Sequence, residues 1–90
     1  MVSTYMIVYD LENRTESYEP LLNALRKLGA LHVLYSKWVL KTNYSAVQLR
    51  DHLRQFVESG DKLLVVGLTG EAAWTSLFVP NDDFKQAFAA

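Results

Sequence analysis

Ninety residues carrying nine basic and ten acidic side chains, for a formal net charge of −1, make one small domain without the cationic excess of a strong phosphate-backbone binder. Cysteine is absent, which excludes disulfide staples, thiolate zinc sites and cysteine nucleophiles. Half of the residues are hydrophobic, while a chain of this size buries only ~60–65% of its unfolded surface, so the apolar surplus points to a homodimer.

The lack of cysteine fits a reducing compartment, and a cytoplasmic location is expected. Asp10 and Glu12 come too early for a signal-peptide core. No apolar run approaches the ~20 residues of a membrane span, so no membrane partner is expected.

Thr4 to Asp10 is a run of β-branched and aromatic residues closed by polar ones, and reads as a first strand. Met6 and Val8 fall on one face and Tyr5, Ile7 and Tyr9 on the other, the pattern of a central strand covered on both sides. Tyr18 to Leu28 repeats leucine at helical spacing, with Ser17 as an N-cap, Pro20 in the first turn and Gly29 as the terminator.

Leu31–Tyr35 and Lys37–Thr42 read as two extended runs around Ser36, either a tight hairpin or one bent strand. Ser45 and Gln48 make a capping box for a second helix, with Val47, Leu49, Leu53, Phe56 and Val57 on its apolar face. Lys62 to Thr69 is a continuous apolar run that reads as a buried strand, in which Gly67 marks close packing or a bulge.

The expected class is therefore α+β: a ferredoxin-like βαββαβ sandwich with an antiparallel sheet and helices on one face. It spans residues 1–70. Residues 71–90 form a C-terminal extension on the domain or on a partner subunit; SLFV is a candidate extra strand, and NDDFKQAFAA either a short helix or a tail.

Asp10, at the end of a central strand, is the sharpest candidate for chemistry. Two copies facing one another in a dimer can bracket one Mg²⁺ and polarise a phosphodiester; the alternative is that Asp10 caps the following loop. Glu12 is a second carboxylate nearby, or part of a solvated loop.

Ser36 can contact phosphate, and Trp38 can stack on a base or fill the core. Tyr9, Tyr35 and Tyr44 are stacking platforms or sheet packing. Lys37, Lys41, Arg50 and Arg54 are the candidate nucleic-acid contacts if assembly gathers them into a patch; Arg54 and Glu58 have the spacing of a solvated helical pair. His32 reads as a paired strand residue and His52 as surface. No glycine-rich phosphate loop, Ser-His-Asp arrangement or His-metal spacing is present.

A first strand ending in IVYDL, a helix closed by LGA, then VLYSKWVL, a capped helix and a last strand together resemble the small CRISPR-associated ferredoxin-like nucleases and their relatives, including virulence-associated protein D toxins. The resemblance covers residues 4–69. It implies that Asp10 is a metal ligand, that Ser36 and Trp38 are the serine and aromatic position after the second strand, and that the protein is a homodimer packed through its sheets, with Mg²⁺-dependent endonuclease activity on RNA or DNA.

The chain differs in having Glu12, Glu16 and Glu19 after Asp10 where an arginine-rich stretch is expected, and in its extension with Ala72, Ala73 and Trp74. It resembles a divergent member. The competing readings are a non-catalytic dimer that binds nucleic acid or protein, with Trp74 and Phe78 as contacts, and a small-ligand regulatory domain.

Overall fold

Alternation along Ser3–Asp10 (β1) sends Tyr5, Ile7 and Tyr9 to one face and Thr4, Met6, Val8 and Asp10 to the other, so a single strand feeds two apolar layers. The computed structural model describes residues 2–12 and 18–88; the Ser17 cap lies outside them. The first helix, α1 (Glu19–Lys27), places Pro20 in its first turn and Arg26 and Lys27 in its last, where proline needs no N–H partner and cations meet the helix dipole. Gly29, at φ 85°, ends it: the Gly29 amide donates to the Arg26 carbonyl and Ala30 to Leu25, a left-handed closure that favours glycine.

Leu31–Leu34 (β2) and Lys37–Thr42 (β3) form the tight hairpin, turning at Tyr35 and Ser36. Leu31 and Val33, two residues apart, face the same apolar cluster, and a bulge between His32 and Leu34 shifts the register with β3. In α2 (Ala46–Arg54), the Ser45 hydroxyl accepts from the Gln48 amide at 3.1 Å and the Gln48 side chain accepts from the Ser45 amide at 2.8 Å, which is the expected capping box.

With β4 (Lys62–Leu68) the sheet has order β2-β3-β1-β4, antiparallel throughout. The fold is the α+β ferredoxin-like arrangement. Leu21, Leu25, Leu49 and Leu53 from the two helices close over Ile7, Tyr9, Trp38 and Leu40 to make the main core. No helix among the described residues is long and apolar enough to cross a membrane.

Three expectations need correction. The last strand is an edge, not a buried strand: among the described residues β4 pairs only with β1, leaving Leu64 55% and Val66 36% exposed. Its apolar run satisfies two faces of which one is uncovered. Gly67 lies in unbroken register opposite Tyr5, with the nearest atom to a built Cβ at 3.9 Å, so it marks neither bulge nor close approach. Val47 is exposed, because the helical arc that carries Leu49 and Leu53 inward turns Val47 out.

Beyond Gly70 the chain turns back over the other sheet face. SLFV forms no strand; it is a strap along the β2 edge, fixed by the Phe78 amide donating to the Val33 carbonyl at 3.0 Å. NDDFKQ forms a short helix, α3 (Asn81–Gln86). Trp74, Leu77, Val79, Phe84 and Phe88 cover Val33, Val39, Leu31 and Met6, and the Thr4 hydroxyl donates to the Ala87 carbonyl. This second layer covers the β2 and β3 side of the face and stops short of Leu64 and Val66.

Candidate functional site

Asp10 ends β1 exposed, on the sheet face opposite α1 and α2. In the ladder it stands across from Lys62, and cross-strand partners share a face, so a carboxylate and an ammonium side chain occupy neighbouring positions. The hairpin turn reaches the same end: the Tyr9 amide donates to the Ser36 carbonyl at 3.1 Å, which ties Ser36 beside Asp10 along the chain. Ser36 itself adopts φ 60°, a left-handed conformation held by the two-residue turn. Lys37 follows on the same face as Val8 and donates to the Tyr35 carbonyl.

One end of the sheet thus gathers Asp10, Ser36, Lys37 and Lys62. Lys41, Arg50 and Arg54 lie elsewhere. Lys41 is opposite Thr4, four residues along β3 from Lys37 and so about 13 Å away by strand rise. Arg50 and Arg54 are on α2, across the sheet, and both reach Asp51, at 2.8 and 3.5 Å. The Arg54–Glu58 spacing is not realised as a helical pair, since α2 ends at Arg54. A single chain therefore does not bring the four predicted nucleic-acid contacts into one patch.

The aromatic candidates divide sharply. Trp38 is 2% exposed and its indole N–H donates to the Tyr9 hydroxyl at 3.1 Å, so both are core and neither offers a face to a base. Tyr35, by contrast, is 82% exposed beside the turn, with an edge-on contact to Phe78.

Glu12 does not join Asp10 as a built metal site; its carboxylate occupies the space above Gly60. Among the described residues no group of three or more His, Asp or Glu side chains is placed to hold a metal ion. Mg²⁺ is commonly held by one or two carboxylates with water completing the shell, and the exposed Asp10 is the carboxylate that this end of the sheet offers.

Glu12, just after β1, is instead held by a residue the sequence did not single out. Asp61 accepts from the backbone amides of Glu12 at 2.7 Å and Glu58 at 2.8 Å, and from the Tyr18 hydroxyl at 3.2 Å. Those two amides, ahead of the Tyr18 bond and nearby Lys62, hold its carboxyl below the ordinary carboxylate range. In sequence, Gly60-Asp61 reads only as a turn; the clamp needs the β1–β4 pairing to be seen.

No family model matches this chain, and no solved structure matches it.

The Asp61 clamp yields a pH prediction. A depressed carboxylate contributes stability that is present above its unfolded value and lost as pH falls through the folded one. Asp61→Ala is expected to lower the urea midpoint at pH 7, and its gap from wild type should narrow as pH falls below the ordinary aspartate value of 3.8. A gap that persists unchanged at acid pH contradicts the clamp.

Proposed function

We propose that the chain works as a homodimeric, Mg²⁺-dependent endonuclease on RNA or DNA, in which two Asp10 carboxylates meet across the subunit boundary. The observation that carries this reading is the placement of Asp10: exposed, at the end of a central strand, on the sheet face whose β4 side leaves Leu64 and Val66 uncovered. Association through that apolar surface would remove it from water and can bring strand ends of two copies together. Each copy would add Ser36 and Lys37 as groups suited to phosphate oxygens. The metal would supply charge neutralisation and an activated water. The resemblance to CRISPR-associated ferredoxin-like nucleases and virulence-associated protein D toxins supports the same assignment of Asp10 and Ser36.

A second reading, a non-catalytic dimer that binds nucleic acid or protein, is favoured by Lys62. Standing directly across the ladder from Asp10, it gives the carboxylate a structural partner in place of a metal.

Two variants separate the readings, assayed on labelled RNA and duplex DNA with Mg²⁺, Mn²⁺ or chelator. Asp10→Ala should reduce cleavage by more than about 100-fold, since even outer-shell groups at metal sites reach that cost, while leaving the sedimentation of the dimer unchanged. Leu64→Glu should yield a folded monomer that does not cleave. Cleavage indifferent to Asp10 overturns the nuclease reading; retardation without cleavage, lost only in Leu64→Glu, establishes the second.

A further inference from the structure

The second edge of the sheet holds a titratable group with no part in the proposed chemistry. His32 on β2 lies flat on Trp38, with ring centroids 4.3 Å apart and planes 4° from parallel, and meets the ring of Phe78 edge-on at 5.5 Å. Its Nε2 is buried and has no hydrogen-bond partner among the described residues. Phe78 belongs to the strap whose amide bonds to the Val33 carbonyl, one residue along from His32. The histidine is thus covered on one side by the core and on the other by the first part of the C-terminal extension.

We propose that His32 is a pH-operated latch on the C-terminal strap: protonation at Nε2 displaces Phe78 and releases its bond to the β2 edge. In the neutral ring an unpartnered nitrogen acceptor is tolerated; the protonated ring puts a donor and a charge in the same dry position. Water has to reach it, and the two covers differ in how readily they move. Trp38 is locked by its bond to Tyr9 and by the main core, whereas Phe78 is 51% exposed. Opening on the Phe78 side hydrates the cation while keeping its stack on the Trp38 face, an arrangement that favours a positive charge.

Electrostatics act in the same sense. Burial lowers the affinity of His32 for a proton, a hydrogen bond with the Leu34 backbone partly offsets this, and Arg26 on α1 opposes a second positive charge. From β3 and the strap, the facing groups are the uncharged rings of Trp38 and Phe78. For a histidine depressed in the closed state, closure is complete above the open-state value of about 6.5 and weakens as pH falls below it. The Asp61 carboxyl, held below the ordinary carboxylate range, stays ionised and its clamp engaged throughout this window.

The test is amide hydrogen exchange on the full chain, reading the protection factor of Phe78, together with the ring titration of His32 by NMR, from pH 7.5 to 5. Wild type should lose Phe78 protection by up to tenfold per pH unit below about 6.5, the limit for one titrating group. His32→Phe, which keeps an aromatic stack and cannot titrate, should hold that protection flat, while amides of β1 stay protected in both. A wild-type Phe78 amide whose protection ignores pH overturns the latch. So does equal loss in His32→Phe, or a His32 ring that titrates above about 6.5.

Discussion

Trp38→Ala should be among the most damaging single substitutions in this chain, costing about 3–5 kcal/mol of stability on the scale of buried aromatic deletions. The indole touches all three things that hold the centre of the sheet. It fills the layer between β3 and the helices, its N–H bonds to the Tyr9 hydroxyl on β1, and its face carries the His32 ring on β2. Removing it leaves a cavity, deprives a buried hydroxyl of its donor and uncovers the stack. A 90-residue domain has a total of only about 5–13 kcal/mol, so the melting temperature should fall by roughly 15 °C or more. Trp38→Phe separates the contributions, since it restores most of the volume but not the donor. In a double-mutant cycle with Tyr9→Phe, the combined loss should be smaller than the sum, because the second substitution removes the partner that the first stranded. Additive losses would mean that the Trp38–Tyr9 bond contributes nothing.

The parts of this fold that were legible in sequence are those decided by neighbours a few residues away. Ser45 and Gln48 declare a helix start because both halves of the capping box lie within one turn, and Gly29 declares an end because the left-handed closure is local. Alternation in β1 likewise announced a central strand with both faces at least partly covered. What was not legible depends on ladder order. KLLVVGL carries the same signal whether it lies inside a sheet or at its rim, and only the pairing of β4 with β1 alone shows that Leu64 and Val66 remain open.

The candidate site divides along the same line. Asp10 and Ser36 were named from local pattern, and their proximity follows from one backbone bond between β1 and the hairpin. Lys62 was missed, because facing Asp10 is a matter of register between segments some fifty residues apart. The same holds for Asp61, whose partners come from Glu12, Tyr18 and Glu58. Lys37 and Lys41 were candidates on the condition that assembly gathers them, and within one chain an extended strand carries them to opposite ends of the sheet.

Deletion of residues 71–90 should have an effect of comparable size, and its outcome bears on why so short a chain carries an extension. Those residues lay Trp74, Leu77, Phe84 and Phe88 against Val33 and Val39, with Trp74 and Phe84 in ring contact at 4.6 Å and Phe84 and Phe88 at 5.3 Å. Without them, Val33, Val39, Leu31 and Met6 would join Val8, Leu64 and Val66 in one extended apolar surface, bordered on the same sheet face by Asp10, Lys37, Lys41 and Lys62. An open apolar surface of that extent favours association over dispersal in water. The truncated chain should therefore be unfolded or associated beyond a dimer, as sedimentation and circular dichroism would show. Phe84→Ala, which removes one ring and leaves the strap, should fall between, at about 3 kcal/mol. A truncated chain that sediments and melts with wild type would mean that the layer over Val33 and Val39 adds no stability. If truncation instead gives large assemblies while Leu64→Glu gives monomers, the extension is what confines association to the β4 side of the face, beside Asp10.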